Sequence, residues 1–177
     1  TESADNWRSA AESWLVSKHD EAVEIRFGGH ISPRWDALGR YHAEHTGYTA
    51  VIAVPRDMLI VGYGGNDVNT LRLWEAHSTN DLDMYRFSSG KYVESLEQRS
   101  MAEVITKVLY PADDHTEGKT LRLKQQYFLV SATAQDIVRK HLEKWGDIRN
   151  FAQHHTIQIN DTHPTMIIPE LMRLFMD

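Results

Sequence analysis

Cysteine is absent from the chain, which excludes disulfides, thiolate nucleophiles and thiolate-bound metals. That absence is compatible with a cytoplasmic protein, the expectation adopted here. No apolar run approaches the roughly 18–20 residues of a membrane-spanning helix, and the first residues carry no signal-peptide pattern. Positive charge is also scarce: 19 Lys and Arg face 25 Asp and Glu, leaving a net charge of −6 and a pI near 5.9. The basic residues are dispersed, so the footprint that holds nucleic acid or an anionic membrane is missing, and neither partner is expected. Internal repeats, low-complexity tracts and linkers are lacking too. What remains is 177 residues with 41% apolar composition, enough to bury one core, so a single domain over residues 1–177 is the default. Thr1 is not an initiator Met, and the chain stops at Asp177 soon after Pro169 starts an apolar helix. The start reads either as excised or trimmed or as that of a fragment; the short final helix favours the fragment, which is the expectation.

Hydrophobic periodicity gives the organisation. Ala4–Trp14 has helical composition, with Trp7 and Trp14 on one face. Val23, Ile25 and Phe27 alternate with charged residues and predict a half-buried strand ended by Gly28-Gly29. Tyr48–Val54 predicts a second strand, stopped by Pro55 and able to pair antiparallel with the first. The stretch between them, with Pro33, Trp35 and Gly39, has room for another. Val68–Trp74 follows the turn Gly64-Gly65-Asn66-Asp67 as a further strand. After Gly90 the period changes: Tyr92, Val93, Leu96, Met101, Val104, Ile105, Val108 and Leu109 fall at helical spacing, and Pro111 marks the stop. A second long helix is predicted over Leu121–Trp145, with Gly146 as its C-terminal cap. A short alternating strand, Thr156–Ile159, then leads through Asn160-Asp161-Thr162-His163-Pro164 to a helix opened by Pro169. The class is α/β, with an antiparallel, strand-rich front.

Ligand sites in α/β folds sit beyond the carboxyl ends of strands, which draws attention to Asp161 and His163. A carboxylate only accepts hydrogen bonds, whereas an imidazole donates or accepts, a combination suited to sugar hydroxyls or to positioning a proton. Equally, Asp161 or Thr162 could simply cap the next turn, with His163 packed on it. The loop from Tyr110 to Lys119 holds Asp113 and Asp114; its residues alone give an acidic, solvated connector in which Asp113 or Asp114 helps to cap the next helix. Adjacent carboxylates there repel, which keeps the loop hydrated or mobile. Arg72, Arg139 and Lys140, at helix and strand ends, are expected to be solvated or paired with carboxylates. The ten histidines include His42-x-x-His45 and His154-His155. The first spacing points side chains to opposite faces of a strand, the second lacks a third ligand, and no His-Glu-x-x-His motif exists, so no metal site is expected. Gly62-Tyr63-Gly64-Gly65 lacks the Lys-Ser/Thr of a phosphate loop.

The ordered set Asp5-Asn6-Trp7 with Trp14, Ala53-Val54-Pro55, Asn69-Thr70-x-Arg72-Leu73-Trp74 and Asn80-Asp81 covers the front of the chain. Leu109-Tyr110-Pro111, Glu117-Gly118-Lys119, Leu121-Arg122-Leu123-Lys124-Gln125-x-Tyr127-Phe128 and Gln135-Asp136-Ile137 continue it, and Asn160–Pro164 with Ile168–Arg173 completes it. In this the chain resembles the α-glucan phosphorylases, the family of glycogen, starch and maltodextrin phosphorylase. The resemblance implies part of the Rossmann-like N-terminal domain of a two-domain, GT-B type glycosyltransferase, with the C-terminal cofactor domain outside this chain. It implies an enzyme that releases α-glucose 1-phosphate from α-1,4-glucan with inorganic phosphate, uses pyridoxal phosphate and is commonly a homodimer. Asp161 and His163 would then lie beside the glucosyl pocket, and Asp113, with Asp114 next to it, would belong to a gate over the cleft. No residue of the chain would act as acid or base, and the isolated chain would be inactive. Asp114, His115 and Thr116 stand where animal members have Asn and two aromatics, so an inhibitor site built on ring stacking is not expected. Arg72, Arg139 and Lys140 match positions that grip a regulatory phosphate in animal members. Lys140 replaces a planar Arg with a point charge, and nucleotide activation is not expected. A non-catalytic carbohydrate-binding or regulatory module is the alternative.

Overall fold

A computed structural model describes residues 14–79, 92–108 and 111–176. The expected N-terminal helix apart from Trp14, the pair Asn80-Asp81, and Leu109-Tyr110 lie outside the described residues. The chain divides into two compact units, Thr1–Glu24 with Val51–Gln125, and Ile25–Ala50 with Gln126–Asp177. Each is described by itself.

In the first unit, the long strand β5 (Thr49–Val61) pairs antiparallel with β6 (Val68–Ser78), from Val51↔Ser78 to Val61↔Val68. Along another stretch β5 carries β1 (Leu15–Ser17), in the register Leu15↔Met58 to Ser17↔Arg56. Pro55 therefore does not end the strand. Proline removes one ladder donor, but its carbonyl remains available, and here it accepts the Lys18 N–H at 2.9 Å. Helix α1 (Tyr92–Lys107) packs on β6, burying Ala102 and Ile105 beside a sheet core that includes Val51, Ala53, Val54, Trp74 and Ala76. The carboxyl end of α1 leaves carbonyls without helical partners. Gln125 supplies them, donating to Ile105 O at 3.0 Å and Val108 O at 2.6 Å.

Helix α2 (Thr116–Trp145) runs from the first unit into the second and begins five residues' worth of sequence earlier than Leu121, at Thr116. It ends where expected. Gly146 takes a φ of 71° and its N–H bonds Leu142 O at 2.9 Å, the left-handed cap that glycine accepts without strain. Strand β2 (Val23–Phe27) likewise matches its alternating pattern, with Ile25 fully buried.

The stretch after β2 folds as a hairpin of β3 (His30–Trp35) and β4 (Tyr41–Thr46), paired from His30↔Thr46 to Trp35↔Tyr41. Gly29 is obligatory before it: φ is 81°, and a Cβ would sit 2.5 Å from Thr46 O. After α2 come the single turn α3 (Phe151–His154) and α4 (Ile167–Met176). Pro169 lies within the first turn of α4 rather than at its start, a place where its missing N–H costs no helical bond. Val130, Ala134 and Ile167 form the centre of this unit, packed by Ile157, Ile159, Met166, Leu171 and Leu174.

Thr156–Ile159 does not form a strand. Its alternation is real: Ile157 and Ile159 are half-buried while Thr156 and Gln158 are exposed. A ladder also needs a neighbour, and none pairs with it among the described residues. The described pairings β1–β5, β5–β6 and β3–β4 are all antiparallel, in a mixed helix and strand fold. Among the described residues no helix is long and apolar enough to cross a membrane.

Candidate functional site

Burial of Ile157 and Ile159 against α2 and α4 holds the turn that follows them. Asp161 adopts a φ of 66°, left-handed backbone that few residues other than glycine tolerate. The short Asp side chain compensates locally: Oδ1 accepts the Thr162 N–H at 2.5 Å and the Thr162 hydroxyl at 3.2 Å. Those two bonds, then His163, hold the Asp161 carboxyl below the usual aspartate range. Thr162 O in turn accepts the N–H and hydroxyl of Thr165, at 3.2 and 2.7 Å, and Pro164 O accepts Ile167 N–H at 3.0 Å, which leads into α4. The turn-shaping reading of Asp161 thus rests on Oδ1. Both of those bonds use Oδ1 and neither uses Oδ2.

His163 is brought to Asp161. Its Nε2 lies 3.8 Å from Asp161 Oδ2, with the side chains 50% and 63% exposed respectively. Gln126, on α2, contacts the other ring nitrogen at 3.2 Å. The pair therefore presents one acceptor and one ring nitrogen side by side to solvent, which matches a hydroxyl.

Beneath the turn, α4 is fastened to α2 by a buried carboxylate that the sequence did not single out. Glu170 is 3% exposed. It accepts the Ser131 hydroxyl at 2.5 Å, Tyr127 OH at 3.3 Å, and Arg173 at 2.8 and 3.0 Å. Gln135 extends the network, donating to Ser131 Oγ at 3.1 Å. Burial pushes the Glu170 carboxyl up, but the Arg173 and Ser131 hydrogen bonds outweigh it and hold the group below the usual range. Burial and the Glu170 charge push the Tyr127 phenol up.

Asp113 and Asp114 belong to the first unit, in the loop before α2. The two carboxylates turn to different partners, Asp113 to Arg122 at 2.8 Å and Asp114 to His115 at 3.1 Å. Asp114 is 87% exposed. Gly118 allows the loop to fold back on α2, since a Cβ there would meet Ala112 O at 1.7 Å. Next to it, an open apolar cleft of about 490 Å³ is lined by Met101, Val104 and Ile105 of α1 and by Glu117, Leu121 and Lys124 of α2.

The three basic candidates are all engaged. Arg72 grips Asp57 with two bonds of 2.7 Å and Glu21 with a third of 2.7 Å. Arg139 bonds Asp136 at 2.8 Å and Glu143 at 2.7 Å, and Lys140 bonds Asp136 at 2.8 Å. The Asp136 bond is the main cause that pushes the Arg139 guanidinium up. Among the histidines, His42 approaches Asp36 at 3.4 Å and His45 donates to Gly28 O at 2.7 Å. His154 stacks on Trp145 with centroids 4.2 Å apart, and His155 meets the fully buried His141 at 3.0 Å. Among the described residues no group of three or more His, Asp or Glu side chains could hold a metal ion.

A family described as carbohydrate phosphorylase matches residues 1–177. The glycogen phosphorylase of Synechocystis is 39% identical over 176 residues. That of Chlamydia pneumoniae is 38% identical over 176 residues, and the liver form of human glycogen phosphorylase 39% over 191. Each comparison covers 99% of this chain but 21% of the relative, so the chain spans about a fifth of the length of the curated relatives it matches.

Proposed function

Because the chain belongs to the carbohydrate phosphorylase family, we propose that it is part of an α-1,4-glucan phosphorylase and supplies its sugar-facing turn. The whole enzyme transfers the terminal glucosyl unit of glycogen or maltodextrin to inorganic phosphate, releasing α-glucose 1-phosphate. Within it this chain belongs to the Rossmann-like N-terminal half of a GT-B type glycosyltransferase, and the parent is a cytoplasmic homodimer. That its relatives are glycogen phosphorylases supports the reaction.

The observation that carries the reading is the Asp161–His163 pair. Asp161 Oδ2 accepts and His163 Nε2 lies 3.8 Å away, so one sugar hydroxyl can donate to the first and accept from the second. The pair orients a sugar and is not the acid or base of the reaction. Asp113, with Asp114 beside it, acts as a gate whose Arg122 contact lies at the surface and exchanges readily.

Pyridoxal phosphate is the cofactor of this reading, and its phosphate would supply proton transfer to the substrate phosphate. It does not fit the residues of the Asp161 turn. That turn offers no amine for an imine, and Arg173 of the helix that follows it bonds Glu170. The cofactor belongs to the part of the relatives' length that this chain does not span, and the isolated chain is inactive.

Phosphate-dependent release of glucose 1-phosphate from maltoheptaose by the full-length protein, beside its Asp161→Ala variant, tests the reading. Activity that falls by about a hundredfold in the folded variant supports it, the scale of a lost charged contact strengthened in the transition state. A folded, cofactor-loaded parent without phosphorolysis overturns it and favours a carbohydrate-binding or regulatory module.

A further inference from the structure

The imidazole of His163 makes two polar contacts on opposite nitrogens. Gln126 Nε2 lies 3.2 Å from Nδ1, and Asp161 Oδ2 lies 3.8 Å from Nε2. An amide nitrogen only donates, so Nδ1 must hold the lone pair that receives it. A neutral ring carries one proton, and that proton is then on Nε2, aimed at the Asp161 side. We propose that Gln126 is a positioning residue: it fixes His163 as the Nε2–H tautomer, so that the turn offers a sugar hydroxyl one donor beside one acceptor.

The chemical consequence follows from counting protons. With Nε2–H outward, a hydroxyl can accept from His163 and donate to Asp161 Oδ2. With the other tautomer the same hydroxyl would face two acceptors, and its single proton satisfies one of them. The mismatch leaves a polar group unpaired, which is the condition under which hydroxyl recognition discriminates most strongly.

Gln126 is well placed to hold the ring. It stands on α2 next to Tyr127, which reaches Glu170 of α4, and two residues from the buried Phe128. Helix α2 therefore grips both sides of the turn, the ring through Gln126 and the start of α4 through the Ser131 and Tyr127 bonds to Glu170. The choice of amide matters. A glutamate at this position could only accept, would take its proton from Nδ1–H, and would turn the acceptor nitrogen outward. Asp161 is the charged group that faces the ring among its described contacts, and it is untouched by changes at position 126.

The functional half of this proposal rests on the reading that the Asp161 turn meets a sugar; the tautomer does not. The test uses the full-length protein with Gln126→Met and Gln126→Glu, both of nearly equal volume, their melting temperatures serving as the check on folding. Diethyl pyrocarbonate modifies only the unprotonated imidazole. Its reaction with His163, followed by peptide mass spectrometry from about pH 5 to 8, gives a labelling midpoint for that ring alone. Gln126→Met removes a donor that opposes a second ring proton, so the midpoint moves to higher pH. Gln126→Glu adds a carboxylate that welcomes one, and moves it further, by about one unit. A midpoint in folded Gln126→Met that is unmoved or lower overturns the tautomer, since the amide would then be absent or accepting. In the same proteins kcat/KM for maltoheptaose, compared at pH values above each labelling midpoint where the ring is neutral, falls about tenfold in Gln126→Glu, mostly through KM. A shifted midpoint with unchanged kcat/KM overturns the positioning role. A shifted midpoint in a protein with no phosphorolysis at all upholds the tautomer and overturns the glucan reading instead.

Discussion

His155 Nε2 and His141 Nδ1 are 3.0 Å apart, and their proton positions are fixed by a third group. His141 Nε2 donates to Asp147 O at 2.9 Å, so Nδ1 is the acceptor and His155 must donate to it. The pair lies between α2 and α3, with His155 stacked on Phe151 at 4.5 Å. Burial, then His141, His154 and Lys144, pushes the His155 imidazole down from its ordinary value. The unfolded chain therefore takes up that proton first. Stability from this group is complete above the ordinary histidine range and is lost as pH falls through it. Urea denaturation from about pH 7 to 5 checks this. The midpoint should drop with pH, and less steeply in His155→Gln, which keeps an N–H donor for His141 without a titrating ring. Equal slopes in the two proteins would sink the idea.

The Glu170 network makes a larger prediction. Removing Glu170 leaves the buried Ser131 hydroxyl unmatched, a loss of about 1–3 kcal/mol, whereas Arg173, with a side chain 43% exposed, is partly solvated. Glu170→Ala, which strands the Ser131 hydroxyl, should therefore cost that much in chemical denaturation, and Glu170→Gln less. The carboxyl is held below its ordinary value, so its contribution is present above that value and is lost as pH falls beneath it. The acid limb of the stability curve should flatten in Glu170→Gln. A loss under about 1 kcal/mol in Glu170→Ala would show the network to be surface-like.

Some of this could be read from the chain and some could not. Helix α2 was legible because its apolar period and Gly146 agree, and β2 because it alternates and ends at two glycines. Pro55 misled because a proline's missing donor matters only where the ladder uses it; the residue's carbonyl still serves Lys18. Thr156–Ile159 misled because alternation reports one buried face and says nothing of a pairing neighbour. The same holds at the site. Asp161 and His163 were visible as neighbours in sequence, but Gln126 is 37 residues from His163 and Ser131 is 39 from Glu170. No local pattern encodes such contacts, which depend on how α2 meets α4.

Gly118→Ala sets two magnitudes against each other. Alanine gains about 1 kcal/mol over glycine within a helix. Here its Cβ would lie 1.7 Å from Ala112 O, a backbone atom that cannot swing aside, so the loop before α2 must move. Overpacking of that kind costs about 1–3 kcal/mol. The clash should win, giving a lower melting temperature and freer labelling of the Ala112–His115 segment in hydrogen exchange. A variant more stable than the parent would mean that the loop does not hold this close approach.

The last prediction separates two roles for Arg72. Its guanidinium makes three bonds of 2.7 Å to Asp57 and Glu21, and Asp57 is 7% exposed. One positive charge thus meets two negative ones, and an arriving phosphate would face a net negative group and have to displace a carboxylate. The arrangement is that of a clamp joining β5, β6 and the turn at His19–Glu21. Arg72→Ala should accordingly destabilise the fold by about 3 kcal/mol, because it leaves the Asp57 carboxylate buried without its cation. Arg72→Lys should recover only part, since an ammonium cannot make the two-pronged contact with Asp57. A nucleoside monophosphate added to the full-length protein should raise the melting temperature by no more in the parent than in Arg72→Lys. Stabilisation by the nucleotide that disappears with Arg72 would return this residue to the anion site that its sequence context suggested.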